Sequence, residues 1–199
     1  MSITKVRLIR RIYLTSSFSL GVLAPLVCWY LLPSFNPITK PLSYFGVAEP
    51  TLWYWNTSLL LIAIGLYINA SKALSLCVYD RLYDKILKIL IAFFFTALCL
   101  TAVFSMNYSL IHKISAVCFF LIYNLFVFLF GLFRSLKYVR KGLFSIAIGS
   151  LMLLSSLLLI PFPSYGIFEI VYFVLVLYWN AVLFKKRMRK EDRVKSCFQ

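Results

Sequence analysis

Apolar runs of about 20 residues recur from one end of the chain to the other, and this repetition limits the fold more than any motif does. An α-helix rises about 1.5 Å per residue, so each run matches the roughly 30 Å of hydrocarbon in a bilayer. The chain has 199 residues and is 62% hydrophobic, with a mean hydropathy of +0.90. That is more apolar surface than a water-soluble domain of this length can bury. Six spans are expected, at about 10–32, 53–76, 86–106, 110–133, 142–161 and 165–184. At these lengths they must be helices, which satisfy every backbone N–H and C=O within their own segment. No room remains for a soluble domain, so residues 1–199 read as a single membrane domain, an all-α polytopic helix bundle.

The net charge of +15 would suit a nucleic-acid binder only if the cations formed a continuous stripe. Instead they fall between the apolar runs. The N-terminal arm carries four Lys/Arg, the 72–88 region four (Lys72, Arg81, Lys85, Lys88), the 134–141 link four (Arg134, Lys137, Arg140, Lys141) and the tail 185–199 seven. Only Lys40 and Lys113 lie on the other side, and nineteen against two expects both termini in the cytoplasm by the positive-inside rule. The basic start resembles a signal peptide, but Ile12–Leu32 is longer than a typical apolar signal core and lacks a small-residue cleavage site, so it is expected to stay as the first span. Membrane lipids are therefore the expected partners, anionic ones at the basic tail, with no nucleic acid and no protein partner identifiable. The expected location is integral to a membrane, the plasma (inner) membrane if the source is prokaryotic. The segment Tyr79–Lys85 reads as an interfacial turn with local Asp–Arg/Lys pairs.

Cysteine and histidine usage argues against metal chemistry. The five cysteines show no ligand spacing; Cys28, Cys77, Cys99 and Cys118 sit in apolar runs as packing residues. Cys197 is third from the end, one short of a prenylation box, which leaves reversible acylation open. With a single histidine, no metal site and no cofactor are expected. Ser145 and Gly149, like Gly65 and Gly131, read as points of close helix approach. The formal sequon Asn107-Tyr108-Ser109 matters only in a eukaryotic secretory pathway.

Ionisable side chains near a span are costly and are functional candidates by default. His112 opens span 4, Glu169 opens span 6, and both belong to the side bearing the long, proline-marked 33–52 loop. Helical periodicity puts Glu169, Tyr172, Phe173, Val176 and Asn180 on one face, and His112, Ser115, Ala116, Phe119 and Tyr123 on another. A third stripe runs Asn56, Leu60, Ala63, Tyr67, Ala70 along span 2. If these faces meet, Asn56, His112 and Glu169 converge just inside the outer surface. Equally, polar groups on facing helices serve as ordinary interhelical hydrogen-bond partners.

Pro41-Leu42-Ser43-Tyr44-Phe45-Gly46 resembles the P-[LI]-S-x-x-G outer-loop signature of the six-helix membrane proteins grouped as domain of unknown function 998. Trp55-Asn56 ahead of an apolar span with Gly65, the histidine-led fourth span (His112, Ala116, Phe119, Phe120) and Glu169 with Trp179 in the last span are similar to the same family. Tyr44 stands where family members often have Asp. The family is distantly similar to the DRAM and Frag/Sfk membrane proteins. The resemblance implies a fold and a topology and no defined activity.

Three functions are weighed on these residues. One is a multi-pass protein acting through lipid or protein contacts. Another is a membrane-embedded enzyme acting on a lipid or lipid-linked substrate at the outer face, with His112 as general acid or base, Glu169 as its orienter, Ser43 as nucleophile or substrate ligand, and Asn56 and Tyr172 binding substrate. The last, a small transporter, needs a polar path whose only obvious inner steps are Asn69, Asn124 and Asn180; matched Gly/Pro-broken spans are missing, Pro25 having no counterpart in span 4.

Overall fold

A computed structural model describes the backbone of residues 3–74 and 81–196, and the side chains of residues 12–74 and 81–185. Cys77, Tyr79, Asp80, Cys197 and the basic side chains of the N-terminal arm and of the tail beyond Lys185 lie outside the described residues.

The described chain is helical, without strand. Six helices follow in order: α1 (Ile3–Leu31), α2 (Leu52–Ala73), α3 (Arg81–Val103), α4 (Ser109–Ser135), α5 (Val139–Ser155) and α6 (Gly166–Ser196). Short 3-10 turns interrupt the links at Leu42–Gly46, Met106–Tyr108 and Ser156–Leu159. Five segments are long and apolar enough to cross a membrane: Ile12–Leu31, Arg81–Val103, Met106–Ser135, Val139–Leu159 and Gly166–Lys185. The chain is thus a membrane protein by the length and composition of its helices.

The expected second span coincides with α2, which has the length, 22 residues, but stands outside that group of five. Its apolar middle is flanked by Asn56, Thr57 and Ser58 at one end and by Asn69, Ser71 and Lys72 at the other. Ser58 and Asn69 are buried against protein, for α2 packs on α1, α3 and α6. A helix sheltered by three neighbours does not need the apolarity that lipid demands. A second difference concerns the Tyr79–Lys85 segment, part of which is helix: α3 already begins at Arg81, and an ion pair from Lys88 to Asp84 stitches its first turns.

Neighbouring helices pack in chain order, and α6 closes the ring against α5, α2 and α1. The tightest pair is α4 with α5. A Cβ added to Gly142 would sit 2.5 Å from the Gly131 carbonyl oxygen, and one added to Gly131 would sit 2.6 Å from the Ile146 backbone nitrogen. Only the absence of side chains lets these backbones approach so closely. Between α4 and α6 the middle of the bundle is filled by rings: Trp179 meets Tyr123, Phe126 and Phe130 edge-on at 5.5–6.2 Å. Below them Asn69 donates to the Asn180 side-chain oxygen (2.8 Å), and Asn180 donates in turn to the Tyr123 hydroxyl. Trp179 donates to Ser145 (3.0 Å) and so ties α6 to α5. Two of the three asparagines considered as transport steps therefore bond to each other inside a packed interior.

Candidate functional site

The site is built at the end of the bundle that carries the 32–51 loop. The loop is anchored by an aromatic chain in which Phe35 packs on Phe45 (4.2 Å) and Phe45 on Trp55 (5.4 Å). Thr51 donates to the Phe45 carbonyl (2.8 Å), and Asn56 donates to the Gly46 carbonyl (3.1 Å). A Cβ on Gly46 would lie 2.6 Å from the Asn56 side-chain oxygen, which accounts for glycine at that position.

The first N–H groups of a helical turn have no partner within it. At Leu42–Gly46 the carboxylate of Glu169 supplies one from across the bundle, accepting from the Leu42 N–H at 2.5 Å and from the Ser43 backbone as well. Glu169 thus clasps the loop to the head of α6.

His112 solves the matching problem at a helix C-terminus. The Phe104 carbonyl lies just past the end of α3, where acceptors are left over, and His112 Nδ1 donates to it at 2.8 Å. A carbonyl can only accept, so the proton must be on Nδ1, and in the neutral ring Nε2 carries a lone pair. Nε2 has no protein partner among the described residues. The backbone carbonyl of His112 accepts from Ser115, whose hydroxyl accepts from Thr101 (3.1 Å). The Tyr172 hydroxyl donates to the Phe120 carbonyl (2.7 Å), tying α6 to α4.

A cavity of about 70 Å³ opens among these groups, several times the space one water needs. Ser43, His112, Glu169 and Tyr172 all line it; Asn56 does not, its place on α2 being taken by Trp55. His112 and Glu169 face one cavity, yet no hydrogen bond joins them: each is engaged with backbone. The Ser43 hydroxyl, like His112 Nε2, has no protein partner among the described residues. The walls are apolar, with Leu59 and Leu66 on α2, Leu98 on α3, Phe119 and Phe120 on α4, and Phe173 on α6. From Trp55 to Leu66 the α2 wall runs about 16 Å at the helical rise, roughly the depth of one leaflet.

Sequence reasoning missed the α2 wall and Thr101. Trp55, Leu59 and Leu66 form a stripe at helical spacing, and such a stripe looks the same whether it faces a packed core or an open slot. Thr101 offered a signal, a hydroxyl within an otherwise apolar run, as a side-chain hydrogen-bond partner for the neighbouring helix. Among the described residues no three His, Cys, Asp or Glu side chains gather as metal ligands would.

Comparison with known proteins finds one relation. A family profile described as "Protein of unknown function (DUF998)" matches residues 18–185, which takes in every residue of the loop and cavity. None of the curated proteins and none of the solved structures compared with the chain matches it, so the likeness to the DRAM and Frag/Sfk proteins stays a resemblance of pattern.

Proposed function

Because the chain belongs to DUF998, a family of proteins of unknown function, its activity has to be read from its own side chains, and we propose that it is a six-span membrane protein that binds a lipid-type amphiphile in a cavity at its extracytoplasmic end. In this reading α2 is the sixth span, long enough at about 33 Å and shielded by α1, α3 and α6. The orientation follows from charge: Lys85, Lys88, Arg134, Lys137, Arg140 and Lys141 all lie at the end opposite the cavity, and that end would face the cytoplasm. A plasma-membrane address follows if the source is prokaryotic.

One observation supports binding more than any other. The cavity wall is apolar over the depth of a leaflet, and two polar atoms of its lining residues, His112 Nε2 and the Ser43 hydroxyl, lack protein partners among the described residues. A slot with apolar walls and a few convergent polar groups is the usual form of a small-molecule site. Ala116 also lines the slot, so Ala116→Phe fills it. Native mass spectrometry of the protein released from membranes is expected to find a bound amphiphile in the wild type and none in Ala116→Phe. An identical profile for the two proteins would overturn the proposal.

A second reading is an enzyme acting on the same amphiphile, favoured by His112 and the Ser43 hydroxyl lining one cavity. Here Ser43 would be the nucleophile, and Glu169 would position Ser43 through its backbone instead of orienting His112. Turnover of a lipid by the wild type, lost in both Ser43→Ala and His112→Ala, would support it. Transport is disfavoured by the Asn69–Asn180–Tyr123 ties and the ring stack between α4 and α6.

A further inference from the structure

The cavity also carries information about the head group of its ligand, and this inference rests on the binding function proposed above. We infer that the ligand is an amphiphile whose head is uncharged and bears hydroxyl groups, of the acylglycerol type, and not an anionic lipid.

The head-group chemistry follows from the lining. The Phe104 carbonyl fixes a proton of His112 on Nδ1, so in the neutral ring Nε2 presents an acceptor to the ligand. Glu169 also lines the cavity, but its carboxyl is already engaged by the Leu42 and Ser43 backbone. Neither Lys nor Arg lines the cavity; the loop cation Lys40 lies 4.1 Å over the ring of Tyr44. A phosphate or carboxylate head would find no Lys or Arg in the wall to offset its lost hydration, and an ammonium head would find the one lining carboxyl already engaged by backbone. A hydroxyl head instead donates to Nε2 and exchanges a hydrogen bond with Ser43, leaving no charge uncompensated.

The test uses the full chain in phospholipid nanodiscs, because alkyl-glycoside detergents would compete for such a site. Radiolabelled monolauroylglycerol, lauroyl lysophosphatidate and dodecylamine share a twelve-carbon chain and differ in the head. Monolauroylglycerol is expected to bind about tenfold more tightly than the other two, the size of effect that one or two well-made hydrogen bonds supply. His112→Asn keeps an N–H near the position of Nδ1 for the Phe104 carbonyl and removes Nε2. It is expected to weaken monolauroylglycerol about fivefold to tenfold and to leave the others nearly unchanged. Ala116→Phe is expected to abolish binding of all three. Equal or tighter binding of lysophosphatidate or dodecylamine, or a His112→Asn protein with unaltered preference, would overturn the head-group inference while binding itself stands. Failure of every probe to bind, or binding that survives Ala116→Phe, would overturn the binding function and with it this inference.

Discussion

The two candidate ionisable residues do related work at the level of single atoms. Glu169 satisfies N–H groups that a helical turn leaves over, and His112 satisfies a carbonyl that a helix end leaves over. Each therefore has a structural duty whatever else it does. Glu169→Gln keeps one oxygen for the Leu42 N–H but replaces the other by an NH2 that cannot accept, at an expected cost of about 1 kcal/mol. Hydrogen exchange at Leu42 and Ser43 should then quicken severalfold; unchanged exchange would mean that the loop is held by its aromatic packing alone. Deeper in the bundle, Asn180→Leu removes a donor from Tyr123 and an acceptor from Asn69. The expected loss is about 1–3 kcal/mol, visible as a lower thermal midpoint in detergent. These pairings were only half legible in the sequence. His112, Glu169 and Tyr172 stand out as polar residues at helical spacing, but which atom each of them bonds depends on where a distant chain segment ends.

At the scale of elements, the closeness of α4 to α5 depends on Gly131 and Gly142, where each backbone occupies the space a side chain would need. Gly142→Val should push the two helices apart and cost about 1–3 kcal/mol, as overpacking does. A spin-label pair across the hairpin would report the wider separation, and an unchanged distance would show that the pair can slide instead. The helices themselves could be drawn from hydropathy, because a segment in lipid must satisfy its own backbone. Their ends could not. α3 starts at Arg81, as its Asp84–Lys88 pair extends the helix beyond the apolar run, and α2 is more polar than an exposed span because its neighbours screen it.

For the whole molecule, all the described basic links gather at one end and the cavity at the other. In a variant lacking the native cysteines, a cysteine placed at exposed Thr39 should react with an impermeant reagent in intact cells, and one at exposed Lys137 only after lysis. The reverse result would invert the topology and place the cavity on the cytoplasmic side. Composition, apolar run length and the placement of Lys and Arg were enough to establish a helical membrane protein, since these properties answer to the solvent around the chain and not to its partners within it. The loop motif and the histidine-led fourth helix likewise marked the family before any contact was known. What only the tertiary structure decided is that Ser43, His112, Glu169 and Tyr172 share one cavity, that Glu169 holds the loop instead of the histidine, and that Trp55 displaces Asn56 from the wall. A helix can be read from its own residues, whereas a cavity is the space several helices fail to fill, and the rotation and depth of each helix are set by packing that no single segment encodes.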